Sequence, residues 1–241
     1  MSHSAISLGL GLGGGKSATS SGAPGGGGAF ANALSCSFDG SGDYLDLTSS
    51  QAFTGAFSAS MWFKQTVDAL GILFFGDPAG YVEVSGSSAE KVLVRNWGTI
   101  TSSTGVYDFG AWSHFMFVRD SGNDCEAWVN GASIGTSSKS GTLEVTRLGI
   151  YATSVQPFGG QMDEVAIWGS DQSANISTIY PASGVPADLT DLNPLGWWRM
   201  GDTDPASADT PVSSVTDVAG SNNLTQATAS KQPVISTDVP S

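Results

Sequence analysis

The stretch "AWSHFMFVRD", residues 111–120, decides the fold class. Its apolar side chains alternate sides with a period of two, which is the period of a β-strand. Met116 and Val118 lie on one side of the predicted strand. Phe115 and Phe117 lie on the other side, so both sides are apolar. A strand of this kind is covered on both sides and belongs in the middle of a layered structure.

Further short runs before and after this stretch predict more strands. "AFSASMWFK" alternates over residues 56–64, and "CEAWVNGASIG" places Asn130-Gly131, a strong hairpin signal, between two apolar runs. One segment is predicted to be helical, "SDQSANISTIYP" at 170–181, with Pro181 as its stop. The expected class is all-β, a two-sheet antiparallel jelly-roll sandwich with one short helix.

The composition restricts the partners of the chain. It has 241 residues and a net charge of −13, which argues against nucleic acid and against anionic lipid as partners. No run of about 18 apolar residues is present, so no membrane partner is expected. The N-terminus lacks the basic and apolar regions of a secretory signal, so we expect no export by that route.

Residues 1–34 form a Gly/Ser-rich arm, which we separate from a body over 35–241. Its "GGGKS" does not match a phosphate-binding loop, because Leu10 stands where that loop needs its first glycine. Nearly free of large side chains, the arm could instead lie extended on another protein and order there. The candidate partner-binding residues are Gly13, Gly14, Gly15, Lys16, Gly25 and Gly26.

The run "FGGQMDEVAIW", followed by a turn and a short helix, resembles the closing hairpin of LamG-like domains, which have the concanavalin A-like fold. Four earlier pieces are similar to strands of that family in the same order: "SFDGSGDYLDL", "FSASMWFK", "WSHFMFVRD" and "CEAWVNGASIGT". This resemblance covers about residues 35–180. It implies a sandwich that binds glycans.

Both ends of the chain resemble LamG-like virion proteins of marine tailed bacteriophages. The C-terminal pieces that carry this resemblance are "LNPLGWWRMGD" and "STDVPS", and the N-terminal piece, in the arm, is "SLGLGLGGGK". This resemblance implies a place on the exterior of a phage particle. We assign the C-terminal strand and tail, about 195–241, to the body: "GWWRM" should dock on the sandwich as one more strand, because residues 201–241 hold too few large apolar residues for a core of their own.

No catalytic residues are predicted. Glucanases of this fold carry alternating Glu-x-Asp-x-Glu carboxylates, which period two places on one face. Such a run is absent, and the adjacent Asp163 and Glu164 should point to opposite faces of a strand. His114 is expected to be a hydrogen-bonded core residue, so no histidine is available in the body for a catalytic triad.

Calcium is the one candidate cofactor, because LamG-like sandwiches often hold it with aspartates and loop carbonyls. The candidate ligands are Asp39, Asp43 and Asp163, although the "DGSGD" turn could equally be an ordinary Asx turn. Cys36 and Cys125 could pair if their strands adjoin, or could be separate buried thiols.

Sugars stack on exposed aromatic rings flanked by polar groups. The candidate sugar-stacking residues lie in or beside loop-rich stretches and are Trp97, Tyr107 and Tyr151. The alternative for each of them is that its ring packs at the rim or in the core of the sandwich. The acidic surface favours neutral or cationic glycans.

The leading hypothesis is a non-enzymatic structural or decoration protein of a phage capsid, tail or fibre. In this hypothesis the arm binds other virion proteins, and the outer loops touch host surface polysaccharide. A homo-oligomer is compatible with it, a trimer in a fibre for example. The alternatives are a free-standing extracellular lectin and, more remotely, a glycosidase of the glucanase fold.

Overall fold

The computed structural model describes residues 30–76, 80–151, 155–204 and 206–241. Two antiparallel sheets pack face to face, and the regular structure of the described chain is almost all strand, with one short α-helix. The predicted all-β jelly-roll sandwich is therefore confirmed. The partner-binding glycines and Lys16 lie outside the described residues. The division of the chain at residue 34 stays a prediction.

The first sheet, sheet A, has the strand order β10-β9-β8-β3-β12-β1-β16, and β13 also pairs with β12. Its strands are β1 (Ser35–Asp39), β3 (Phe57–Gln65), β8 (Ser113–Arg119), β9 (Asp124–Val129), β10 (Ala132–Ser138), β12 (Gly159–Trp168), β13 (Gly196–Trp198) and β16 (Val234–Ser236). The sequence stretch that decides the fold class forms β8, between β3 and β9.

The second sheet, sheet B, has the strand order β14-β15-β2-β11-β4-β5-β6-β7. Its strands are β2 (Leu45–Phe53), β4 (Gly71–Gly76), β5 (Gly80–Val84), β6 (Val92–Arg95), β7 (Ile100–Thr101), β11 (Leu143–Leu148), β14 (Ser214–Val215) and β15 (Leu224–Thr225). Each sheet has one face on the shared core and one face turned away from it.

The main core fills the space between the sheets. Phe115 and Phe117 belong to it, whereas Met116 and Val118 belong to a smaller apolar cluster on the outer face of sheet A. The alternation predicted for β8 is therefore confirmed. The apolar faces are fully buried, which makes their removal from water the main stabilising contribution of the sandwich.

The outer face of sheet A is covered by the chain that follows β12. This chain contains the 3-10 turn Ser173–Asn175, the helix α1 (Ile176–Ile179) and a second 3-10 turn, Thr190–Leu192. The helix is one turn long, shorter than the predicted 170–181. Tyr180 ends it and its ring stacks on His114 at a centroid distance of 5.5 Å. Burial lowers the pKa of His114 to about 3, so it is a neutral core residue.

The strand β12 has a different neighbour along each half. Its first half pairs with β1, where Cys36 lies opposite Met162. Its second half pairs with β13, where Trp198 lies opposite Val165. Between the halves the pairing with β3 shifts register, and Glu164 has a φ of 45°. This combination is a β-bulge, and it lies where β1 gives way to β13.

Cys36 and Cys125 are free and buried. They lie on β1 and β9, which are separated in sheet A by three strands. Four strand spacings of about 4.8 Å rule out a disulfide between them. Among the described residues, no helix is long and apolar enough to cross a membrane.

Candidate functional site

Three aromatic rings meet on the outer face of sheet B. Phe75 on β4 and Tyr81 on β5 are directly opposite each other in the ladder. Tyr151, which follows β11, packs edge-on against both, with centroid distances of 5.1 Å to Phe75 and 5.3 Å to Tyr81. Both tyrosines are half-buried and Phe75 is 9% exposed, so the accessible surface of the group belongs to the two tyrosines.

The register of sheet B extends this group into a row. Arg147 pairs with Phe75 on one side and with Asp46 on the other. At the opposite end, Tyr81 pairs with Arg95. From Asp46 on β2 to Arg95 on β6 the row crosses four strand spacings, about 19 Å at about 4.8 Å each. This length suits several linked sugar units better than one.

We call this surface the aromatic face. It comprises the row and the side chains in contact with it: Tyr44, Asp46, Phe75, Tyr81, Glu83, Arg95, Arg147, Tyr151 and Gln156.

The charged groups of the aromatic face are held in place by their neighbours. Arg147 donates from Nε to Asp46 Oδ1 at 2.5 Å, and its guanidinium lies 4.2 Å from the ring centroid of Tyr44. Gln156 Nε2 donates to Glu83 Oε2 at 2.8 Å. These contacts fix planar hydrogen-bonding groups beside the rings, the arrangement that recognises vicinal hydroxyls on a stacked sugar.

Glu83 and Arg95 balance each other electrostatically. Burial raises the pKa of Glu83, and the hydrogen bond from Gln156 and the charge of Arg95 oppose that rise. Burial also raises the pKa of Tyr81, and Glu83 adds to this effect. Tyr81 is therefore a neutral hydroxyl at physiological pH and can both donate and accept.

Of the three predicted sugar-stacking residues, only Tyr151 lies on this face. Trp97 is 1% exposed and is packed against Phe57, Phe74 and Phe117 in the main core. Trp97 lies in the connection between β6 and β7, and its indole is part of the main core. The expectation that Trp97 stacks on a sugar is wrong.

Tyr107 is also buried, at 2% exposure. Its hydroxyl donates to Gln65 Oε1 at 2.6 Å and accepts from the N–H of Gly86 at 3.1 Å. Burial raises its pKa to about 12. This ring closes the core under a loop, so the expectation that Tyr107 binds glycans is wrong as well.

The three candidate calcium ligands do not converge. Asp39 lies opposite Gly159 in the β1–β12 ladder, four residues along β12 from Asp163 and so roughly 13 Å away. Asp39 Oδ1 accepts from the N–H of Ser41, and Asp43 Oδ2 accepts from the N–H of Asp39. The turn is thus an Asx turn with a second carboxylate bonded to it.

Within the ranges the structure covers, no group of three His, Cys, Asp or Glu residues is arranged to hold a metal ion. Asp163 is buried, with both of its oxygens accepting hydrogen bonds, and it is not a calcium ligand. Calcium binding by Asp39 and Asp43 with loop carbonyls stays a prediction.

Asp163 and Glu164 do not point to opposite faces, contrary to the sequence-based expectation. The bulge gives Glu164 a left-handed backbone, which breaks the alternation, and the two carboxyls interact electrostatically. Burial raises the pKa of Glu164 to about 7, with Arg199 opposing the rise. The pair is nevertheless inaccessible to a substrate, because the two residues are 0% and 2% exposed.

The pair is covered by residues 30–34, which we call the arm root. The ring of Phe30 stacks on Trp197 at 5.9 Å and lies under the guanidinium of Arg199 at 4.2 Å. Arg199 Nη2 donates to the carbonyl of Ala31, and Asp202 Oδ1 accepts from the N–H of Leu34 at 2.9 Å. The chain preceding the body is therefore attached to the outer face of sheet A, opposite the aromatic face.

Two grooves also lie on sheet A and suit a glycan less well. One, of about 450 Å³, is lined by four carboxylates and by Trp128, which is only 9% exposed. The other, of about 470 Å³, lies beside the arm root, and its Trp197 is covered by Phe30. Neither groove brings two half-buried tyrosine rings together as the aromatic face does.

Apart from Tyr151, the sequence analysis missed the residues of the aromatic face, among them Tyr81, Arg95 and Arg147. The alternation in "YVEV" already places Tyr81 and Glu83 on one side of a strand. Nothing local to that run shows that Phe75, Arg147 and Arg95 lie in the same row, because strand register is a long-range property.

The sequence and the fold were compared with known proteins. A family model described as the concanavalin A-like lectin/glucanases superfamily (Laminin_G_3) matches residues 39–175. No curated protein matches the sequence. A crystal structure of a candidate carbohydrate-binding protein from Bacteroides ovatus superposes with a TM-score of 0.63 at 14% identity, covering 88% of this chain. This chain spans 62% of the length of that protein.

A second similar structure is a heptameric SAP-like pentraxin from Limulus polyphemus. Its TM-score is 0.52 at 16% identity, and the match covers 65% of this chain and 86% of the pentraxin chain. At these identities the two structures establish the fold alone.

Proposed function

The chain belongs to the concanavalin A-like lectin/glucanases superfamily, and from this premise we propose that it is a non-catalytic carbohydrate-binding protein whose ligand lies on the aromatic face. The observation that carries the proposal is the contact of Tyr81, Tyr151 and Phe75 beside fixed polar groups on an open sheet. A sugar laid on these rings would bury apolar C–H surface while Arg95, Glu83 and Gln156 bond its hydroxyls.

The charges on this face refine the ligand class. Arg147 is paired with Asp46, and Arg95 faces Glu83, so the row is close to neutral although the whole chain carries −13. A neutral glycan fits such a row. A polyanionic glycan would meet the overall negative potential of the protein before it reached the site.

A glycan array followed by calorimetry on the best ligand tests the proposal. Tyr81→Ala removes a ring worth about 1.5–3 kcal/mol when buried, so affinity should fall roughly ten- to hundredfold. Phe109→Ala is the matched control, because Phe109 is a half-buried aromatic residue outside the face. Equal losses in both variants, or no binding to any glycan by the wild type, would count against the proposal.

We propose further that the protein is displayed on the exterior of a phage particle, tethered to other virion proteins by the Gly-rich arm. The arm root lies on the outer face of sheet A and the aromatic face on the outer face of sheet B. A tether on one side and a sugar-binding surface on the other is the arrangement that a displayed adhesin needs. The resemblance of both chain ends to phage virion proteins supports the same proposal.

Deleting residues 1–29 separates this proposal from a free-standing lectin. The deletion keeps the arm root, so the sandwich should fold and bind glycan as before. Incorporation into particles should be lost if the arm is the tether. Normal incorporation of the shortened chain would leave the lectin alternative.

A further inference from the structure

The arm root contains a buried polar atom that has no hydrogen-bond partner among the described residues. Asn32 Nδ2 donates to Asp163 Oδ2 at 2.9 Å. The carbonyl oxygen of the same amide, Asn32 Oδ1, is buried and accepts no hydrogen bond among the described residues. A buried acceptor without a donor is costly, and such atoms are rare in native proteins.

Asp163, the partner of this amide, is a buried acid without a cation bonded to it in the part of the chain that the structure describes. Its hydrogen-bond donors are neutral, namely the amide of Asn32 and the N–H of Glu164 at 2.8 Å. The nearby cation, Arg199, is held by Glu164 Oε1 and by Asp202 Oδ2, each at 3.0 Å.

The other ionisable groups facing Asp163 do not supply a positive charge. Glu164, its neighbour on β12, and Asp202, which follows β13, are acids. From β1 it faces the thiol of Cys36, whose pKa is raised by burial and then by Asp163 and Asp204. Burial first, and Glu164 second, hold the pKa of Asp163 well above its usual range.

We propose that Asp163 is a protonated carboxylic acid in the native protein at neutral pH, and that its O–H donates to Asn32 Oδ1. The acid and the amide then form two hydrogen bonds, and these fasten the arm root to sheet A. Each group supplies the hydrogen-bond partner that the other needs. The acid gains an acceptor for its proton, and the amide carbonyl gains a donor.

The fastening depends on pH in a defined direction. A group whose pKa is raised by folding contributes stability below its unfolded pKa and loses that contribution as the pH rises through its folded pKa. Deprotonation of Asp163 would remove one hydrogen bond and add a buried negative charge to Glu164 and Asp202, which share one arginine. The arm root should therefore be held most tightly below the ordinary pKa of an aspartate, and its attachment should weaken as the pH rises from there towards the folded pKa of Asp163.

Infrared spectroscopy of the full-length protein tests the protonation directly. Labelling aspartate and, separately, glutamate with ¹³C at the side-chain carboxyl distinguishes Asp163 from Glu164. At neutral pH we expect an aspartic acid C=O band that shifts with the aspartate label and is missing in Asp163→Asn. A wild-type spectrum without a protonated aspartic acid band at neutral pH would overturn the proposal, and this measurement needs no folded variant.

Hydrogen exchange of the Ala33 and Leu34 amides, which donate to Asp202, reports the fastening. Corrected for intrinsic rates, their protection should fall more steeply with rising pH in the wild type than in Asp163→Asn, where Glu164 still titrates but the amide at position 163 can still donate to Asn32. In Asn32→Leu protection should drop roughly tenfold at neutral pH, the loss of about one buried hydrogen bond. A parallel decline in wild type and Asp163→Asn would contradict the proposal.

Discussion

Replacing Trp97 by alanine should destabilise the fold strongly and should leave glycan binding by the folded protein unchanged. The indole is 1% exposed and packs against Phe57 at a centroid distance of 5.4 Å, against Phe117 at 5.6 Å and against Phe74 at 6.1 Å. Loss of a buried tryptophan costs about 3–5 kcal/mol, and aromatic pairs add about 0.5–1.5 kcal/mol each. We therefore expect a loss near the upper end, about 5 kcal/mol.

The fit around this ring supports a large cost. A Cβ at Gly80 would lie 2.2 Å from the indole, so the backbone of β5 is in direct contact with the ring and loses that contact when the ring is removed. For a chain of this size, 1 kcal/mol lowers Tm by about 2–4 °C, so Trp97→Ala should lower it by roughly 10–20 °C.

Calorimetric unfolding and glycan titration of the same sample separate the two roles of Trp97. At a temperature where the variant remains folded, its glycan affinity should equal that of the wild type. Trp97→Phe, which keeps a ring in the core, should lose less stability than Trp97→Ala. A variant with an unchanged Tm that no longer binds glycan would refute this reasoning and restore Trp97 as a ligand-binding residue.

The remaining predictions concern the interior of the sandwich. Arg119 is 0% exposed and donates to backbone carbonyls that include those of Gly55 and Gly141. Arg119→Met should therefore lower the free energy of unfolding, measured in urea, by about 3–5 kcal/mol. A decrease below about 1 kcal/mol would show that those carbonyls find other donors. Cys36 and Cys125 are free thiols whose pKa values are raised by burial, so a thiol reagent should label neither until the protein is denatured, and a reductant should leave Tm unchanged.

The layered β class follows from the sequence because local alternation reports it. In β8, Phe115 and Phe117 enter the main core, and Met116 and Val118 enter the outer cluster, as their positions in "SHFMFV" predict. Burial at each strand position depends mainly on this alternation, which is why the class needs no knowledge of long-range contacts.

The candidate site could not be predicted in the same way. Phe75 and Tyr81 lie on the consecutive strands β4 and β5, but Arg147 joins them only through the pairing of β4 with β11, which is far away in the sequence. Trp97 looks like a loop aromatic in the sequence, and only the packing of both sheets shows that its ring turns inward. The bulge at Glu164 has no local signal either, because a non-glycine residue with a positive φ is uncommon.

The central claim is that a glycan binds on the aromatic face, and mapping of NMR chemical-shift changes on titration with the best array ligand tests it most directly. We predict that the largest changes fall on Tyr81, Arg95, Tyr151 and Gln156, with the arm root unaffected. Changes concentrated on sheet A, in the groove beside Trp197 or at the carboxylates around Trp128, would contradict the claim.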